Sequence, residues 1–317
     1  MQHAEMVETT ATATPIATPA IAPEPTPAPP LLPATGSEAD DRKINWRTST
    51  AFIVLHALPL LAIFTGVSRA DVVLCLATYY VRVMFITGGY HRYFSHRSYR
   101  LRRVPQAILA FGGLTAAQKG PLWWAAHHRH HHRWSDTELD IHTPKDGFVW
   151  SHVGWILCDR YNGTDFDAIK DFARYPELRW LNKHDWIGPW SLGLLCFLIG
   201  GWSGLLIGFF LSTVFLWHGT FLVNSLAHVM GRRRFATSDT SKNSLLIAVV
   251  TAGEGWHNNH HRYQTSARQG FYWWQVDPTW YALRVGEKLG LVHDLRRPPA
   301  RVLAEGRGRA AAEPAAA

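Results

Sequence analysis

Hydrophobic positions in this chain come in long unbroken runs, not in the spaced stripes of soluble amphipathic helices. Residues 50–67 form the first run. It is long enough to cross a bilayer core of about 30 Å at a helical rise of about 1.5 Å per residue. The polar break SRAD (68–71) follows, then a second run over 72–89. Arg82 interrupts that run near its end, where a long side chain can snorkel or face protein. About a hundred polar, basic residues rich in His and Trp come next. Residues 187–227 then contain no Asp, Glu, Lys or Arg. That stretch is about twice one span, and GGWSG (200–204) breaks it, which predicts a helical hairpin.

The pattern predicts an all-α integral membrane protein with four transmembrane helices in two hairpins. Its two tight connections carry only Arg69 as a positive charge. Lys and Arg precede the first span, lie between spans two and three, and follow the fourth. The positive-inside rule therefore puts both termini and the His-rich segments in the cytoplasm, as a helical cap. Residues 1–43, rich in Ala, Pro and Thr, cannot bury a core and are expected to be disordered. The expected folded domain is 44–297, and the Ala/Arg-rich tail 298–317 is expected to be loose. A soluble helical protein with very apolar core helices is the plain alternative, but a charge-free double-length run is hard to bury in a small domain.

Composition agrees. Charged residues are 18% of the chain against 47% hydrophobic, yet the mean hydropathy is only −0.10, so a substantial polar part accompanies the spans. Three Cys form no CxxC pair, which excludes a disulfide framework or a cysteine-ligated cluster. No GxGxxG or GxxxxGK[ST] segment marks a nucleotide site. The net charge of +8 has no nucleic-acid module beside it, so no nucleic-acid partner is expected; an anionic lipid surface or an acidic protein is.

The 18 His cluster. His91 and His96 stand in HRYFSH directly after the second run. His128, His131 and His132 form an HxxHH box, and so do His257, His260 and His261. Asn224 and His228 stand in NSLAH at the end of the fourth span. Positions i, i+3 and i+4 share a helix face, so each HxxHH aims three imidazoles into one space. The adjacent pair diverges by about 100°, so it can serve two different metals. Asn224 and His228 are also i, i+4. His91 and His96 are five apart, so the helix is expected to end between them. Nine imidazoles exceed one ion's needs; two metals with four or five nitrogens each would use them all, with Asn224 holding a water on the metal with fewer. Imidazole suits iron, zinc and copper alike. His3, His56, His142, His152, His184, His218 and His293 read as surface or satisfied core residues. His127 and His130 sit in the box but off its pattern.

These motifs resemble the membrane-bound fatty acid desaturases, in the Δ9 (stearoyl-CoA desaturase-like) branch and its bacterial form. GGYHRYFSHRSYR (88–100), HRHHHRWSDTELDIHTPKDGFVWSHVGWIL (128–157), NSLAH (224–228) and GEGWHNNHHRY (253–263) carry the resemblance, which covers residues 44–295. It implies a mushroom-shaped four-span fold in the bacterial inner membrane, with a di-iron centre in the cytoplasmic cap. It implies that His91, His96, His128, His131, His132, His228, His257, His260 and His261 bind the two iron ions, with Asn224 acting through water. It further implies an O2-dependent reaction that introduces a cis double bond, at Δ9, into a saturated acyl chain.

The residues suit that chemistry. A methylene C–H is too inert for acid–base catalysis, so a cofactor must carry the hard step, while the protein holds one carbon pair in place. Trp123, Trp124, Trp150, Trp155 and Trp256 are candidates for the tunnel lining. Asp136, Asp140 and Glu254 are candidates to orient ligand imidazoles. Gln118 matches a family position near the acyl carbonyl; with Trp124 and Trp155 it forms the candidate substrate set. The acyl-CoA branch commonly carries Arg-Asp before the first box, where this chain has Ala126-His127, so the acyl carrier is open between CoA and a glycerolipid. No HPGG-type haem segment occurs, so electrons are expected from a separate carrier, ferredoxin or cytochrome b5-like, and its reductase. Rival readings are a di-iron hydroxylase on the same scaffold, a membrane metal transporter or storage protein, and a receptor. A transporter should carry ionisable groups along a path at mid-membrane depth, and nearly all these His lie outside the runs.

Overall fold

A computed structural model describes residues 42–312. The disorder expected of residues 1–43 falls, but for the last two, outside the described residues. The described chain is helix-rich. Three of its helical stretches, Trp46–Thr65, Arg69–Ser95 and Ile187–Val229, are long and apolar enough to cross a membrane.

The first stretch opens on Asn45, whose Oδ1 accepts from the Arg47 and Thr48 amides and caps helix α1 (Trp46–Ala57). A 3₁₀ turn and a final helical turn carry it to Gly66, which stops it at φ 71°. Ile63 and Phe64 are 78% and 80% exposed on this stretch, an arrangement that suits lipid and not water. A Ser68/Asp71 capping box starts α2 (Arg69–Met84). Arg82 faces protein: its guanidinium donates to the Thr78 and Thr115 carbonyls and to the Ser212 and Thr213 hydroxyls.

Past Met84 the winding changes to a π-helix over Phe85–Ser95. Then come α3 (Pro121–Trp134), which carries the first HxxHH box, and the short α4 (Phe148–His152). The third apolar stretch begins as α5 (Ile187–Ser203) and breaks at Gly201, whose backbone (φ 61°, ψ −146°) is non-helical. Its second half winds as a π-segment, Gly204–Leu211, and then α6 (Ser212–Asn224). The halves fold back on each other: a Cβ on Gly204 would lie 2.6 Å from the Cys196 carbonyl oxygen. Two short helices, α7 (Leu226–Val229) and α8 (His257–Arg262), carry the remaining boxes. An antiparallel pair of two-residue strands, β1 (Arg100–Leu101) and β2 (Val292–His293), ties the end of the second stretch to the C-terminal region.

The tail from residue 298 is not loose throughout. Residues Ala300–Ala312 form helix α9. Val302 packs with Phe235, Phe271 and Tyr272, and the Glu305 carboxylate accepts from the Arg262 guanidinium at 2.6 Å. The Ala/Arg composition suggested a solvated segment; a few buried contacts with residues remote in sequence order it instead. The main core lies under the His boxes, where Tyr90, Phe94, Leu114, Leu122 and Leu178 are fully buried. Each such apolar side chain contributes about 1.5–3 kcal/mol.

Candidate metal centre

The π-segment solves the five-residue spacing of His91 and His96. An α-helix would separate them around its axis, but π winding bonds residue i to i+5. The His96 amide donates to the His91 carbonyl at 3.2 Å, and the two rings sit 4.8 Å apart. The helix does stop at Ser95, before His96; the wider winding ahead of that stop is what brings the rings together. Bare backbone at Gly112 and Gly113 makes room for it: a Cβ on either would lie inside the Phe85 or Tyr90 ring, at 2.3 and 2.1 Å.

Helix α3 is pinned at both ends. The Asn182 Oδ1 accepts from the Leu122 and Trp123 amides. Near the other end the Arg129 guanidinium donates to the Phe94 and Ser95 carbonyls and to Asp171. On α8 the residues between the His are anchors: Asn258 Oδ1 accepts from the Arg234 and Phe235 amides, and Asn259 Nδ2 donates to Gln269 and Gln275. Gly255, just before, has no room for a Cβ, which would lie 2.0 Å from the Ala248 nitrogen.

These elements gather nine imidazoles into two groups. His91, His96, His128, His132 and His260 form one; His131, His228, His257 and His261 form the other. Within each, the ligand atoms lie within 4.8 Å of one another. Adjacent His131 and His132 go to different groups, and so do His260 and His261, as the 100° divergence requires.

The inner nitrogens face each other closely. Nε2–Nε2 distances are 2.9 Å for His96–His128 and His132–His260, 3.0 Å for His91–His260, and 3.1 Å for His228–His257. Four of the outer nitrogens meet carboxylates. His131 Nδ1 donates to Asp140 at 3.0 Å, His228 Nδ1 to Asp136 at 3.2 Å and His261 Nδ1 to Asp239 at 2.8 Å; His91 Nδ1 sits 2.6 Å from Glu254. Each such contact holds the Nδ1 proton outside and leaves the Nε2 lone pair pointing in. Lone pairs at these separations repel unless a cation lies between them. Ligand nitrogens about 2.0–2.1 Å from a metal and at right angles stand about 2.9 Å apart, so the donor set fits metal ions.

The electrostatics agree. Burial, and then the neighbouring rings, push His96, His128, His132, His257 and His260 far below the ordinary histidine range. Burial also lowers His131, but Asp140 outweighs it and the net shift is upward. Burial alone would raise Asp136; His228 and Thr240 hold it at about 2 instead. Those five lowered rings are thus kept neutral, the form that binds metal.

Two apolar cavities reach the centre. The larger, about 170 Å³, is lined by Phe52, Gln118, Trp124, Trp155, Trp217 and His128 among others. The smaller, about 40 Å³, is lined by Val83, Ile86, Thr87, His91 and Glu254 among others. Trp124, His128, Thr220 and Asn224 line both, so the cavities adjoin there. Gln118 Nε2 donates to Thr220 at 2.9 Å and its Oε1 accepts from Trp124 Nε1, which braces the shared wall.

Some expectations change. Trp123, Trp124 and Trp155 line the larger cavity, but Trp150 and Trp256 do not. Trp150 lies under the Arg42 guanidinium, and Trp256 donates to the Val276 carbonyl at the start of α8. Asn224 and His228 do not share one regular helix: α6 ends at Asn224, and Ser225 (φ −110°, ψ −71°) turns the chain before α7. Asn224 lines the cavities beside His91 and His128. His142, read as a bland residue, is buried and stacked on His131 at 4.3 Å, and shares Asp140 with it. His127 and His130 join neither group: each bonds a backbone carbonyl, Trp123 and Leu139. Asp239 was missed, because a lone Asp in a Ser/Thr turn carries no local signal of a partner 22 positions away.

The sequence matches a family model described as fatty acid desaturase over residues 68–293. It is 36% identical over 262 residues to an sn-2 palmitoyl-lipid 9-desaturase of Nostoc, covering 81% of this chain and 92% of that protein. It is 38% identical over 257 residues to an sn-1 stearoyl-lipid 9-desaturase of Anabaena variabilis, covering 80% and 94%. An acyl-CoA 5-desaturase of Anemone leveillei is 37% identical over 262 residues, covering 80% and 81%.

Proposed function

Because this chain belongs to the fatty acid desaturase family, and is thus a fatty acyl desaturase, we propose that it forms a cis-Δ9 double bond in a saturated chain carried on a glycerolipid. The adjoining apolar cavities that reach His91 and His128 of the nine imidazoles carry this reading. Phe52 and Trp217 in its wall belong to apolar, membrane-type stretches, which supports entry of a chain from the bilayer. Ala126-His127 before the first box offers no guanidinium for a CoA phosphate. The names of the Nostoc and Anabaena relatives, which act on acyl lipids, point the same way.

The two groups would each hold one iron, through His91, His96, His128, His132 and His260, and through His131, His228, His257 and His261 with a water held by Asn224. Bound iron would supply the O2-dependent oxidation of an unactivated methylene, which no side chain can perform. The remaining work falls to the chain itself. Aromatic walls exclude water and hold the acyl chain with one carbon pair beside the imidazoles. The Gln118–Thr220–Trp124 bonds fix the wall where the two cavities adjoin. Asp140, Asp136, Asp239 and Glu254 keep the Nδ1 protons outside. Electrons come from a separate carrier and its reductase.

The third apolar stretch crosses twice in this reading, divided at Gly201, giving four spans. The distribution of Lys and Arg supports a cytoplasmic cap and termini, in a bacterial inner membrane. The test is lipid analysis of a desaturase-deficient host expressing the protein in air with a ferredoxin system. A new cis-Δ9 monoene on glycerolipid, absent with His131→Ala, is expected. A hydroxylated chain, or label passing only through acyl-CoA, would overturn it.

A further inference from the structure

Three histidines outside the metal groups are joined in a line. His56 lies in the first apolar stretch, His218 in the last, and His152 at the end of α4. His56 Nδ1 is 2.7 Å from the Phe52 carbonyl oxygen. That oxygen only accepts, so Nδ1 carries a proton. His56 Nε2 lies 3.1 Å from His218 Nε2, His218 Nδ1 lies 2.9 Å from His152 Nε2, and His152 Nδ1 lies 3.0 Å from the Ser225 hydroxyl, so every ring nitrogen along the line meets a hydrogen-bonding partner. Burial, then His218, lowers the basicity of His152.

The inner end of the line is the break in the last helix. Ser225 is fully buried, and its φ −110°, ψ −71° backbone separates Asn224 from His228. The His228 amide donates to the Ser225 carbonyl at 3.2 Å. The Ser225 hydroxyl donates to the Phe221 carbonyl at 2.8 Å, an i−4 back-bond, and His152 Nδ1 meets its oxygen from the other side.

We propose that His56, His218 and His152 are positioning residues for the four-nitrogen group: they brace the Ser225 hydroxyl from the side and so hold the break that presents Asn224 and His228. The line also ties the first and last apolar stretches to the cap behind Phe52, Trp217 and Phe221, in the wall of the larger cavity. His218 meets a hydrogen-bonding partner on each side. An apolar residue of similar size cannot serve, but an amide can.

The inference rests on the two-metal reading, and metal content per chain tests both. Purified wild-type protein should hold about two metal atoms per chain. His218→Leu, folded by circular dichroism and gel filtration, should hold about one and lose turnover at least tenfold. His218→Gln should regain most of both. Ser225→Ala, which removes only the hydroxyl at the inner end, should reproduce the His218→Leu loss and decides alone if that variant does not fold. Two metals retained in Ser225→Ala or in folded His218→Leu would overturn the positioning role and leave the two-metal reading standing. Equal losses in His218→Leu and His218→Gln would also overturn it. A wild-type protein without two metals would overturn the two-metal reading and this inference with it.

Discussion

The two imidazole groups are built differently. In the five-nitrogen group, among the described residues, only His91 meets a carboxylate, Glu254. In the four-nitrogen group His131, His228 and His261 each donate to one, Asp140, Asp136 and Asp239. One group has more nitrogens with one carboxylate beside them; the other has fewer nitrogens with three carboxylates fixing their outer sides. The groups should therefore respond differently to the same disturbance.

The largest expected effect tests the groups themselves. His260→Ala in one and His131→Ala in the other should each lower turnover by more than ~100-fold, beyond the 10–100-fold that loss of an outer partner produces. Each should also release metal, read by elemental analysis. Retained turnover in either would remove that residue from the centre.

Next come the carboxylates. Asp140→Asn and Asp136→Asn should weaken metal retention by about 10–100-fold, and only in the four-nitrogen group. Glu254→Gln should act on the five-nitrogen group. Chelator titration resolves two steps if the groups differ as described; a single shared step would erase the contrast.

Of the two groups, acid should act more strongly through the five-nitrogen one. Four of its rings, His96, His128, His132 and His260, have values pushed far below the ordinary 6.5, by burial first. Below about pH 6.5 the unfolded chain takes up protons that these folded rings refuse, so stability falls as pH falls. The carboxylates, depressed from 3.8, lose their contribution only near and below that value. Melting of metal-free protein between pH 7.5 and 5 should show a downward slope, shallower in His132→Asn. A flat profile in the wild-type protein contradicts the neutral rings.

The smallest effect belongs to the Arg262–Glu305 pair behind His261, which is about one-third exposed on both sides. Glu305→Gln should change stability by about 0–1 kcal/mol, a Tm shift of at most a few degrees, with both metals kept. Loss of metal there would mean that α9 holds the four-nitrogen group directly.

Much of this architecture is legible in the chain. Long charge-free runs announce membrane-type helices, and HxxHH announces a shared helix face, because hydropathy and helical period are local properties. Asp136, Asp140 and Glu254 were identifiable as candidate partners by their nearness to the boxes. Asp239 was not, and neither was the line from His56 to Ser225, whose members lie in three separate segments.

The sequence by itself determined how many imidazoles there are, on which faces they stand, and which stretches prefer lipid. Tertiary structure alone decided the rest. It wound Phe85–Ser95 as a π-helix over bare Gly112 and Gly113, set His131 and His132 in different groups, and gave His228 its Asp136 from 92 positions away. It also ordered the C-terminal helix that composition had marked as loose. The reason is common to these cases. A lone pair's direction, a ring's tautomer and a helix's winding are set by what lies across the fold, and nothing within a few residues specifies that neighbour.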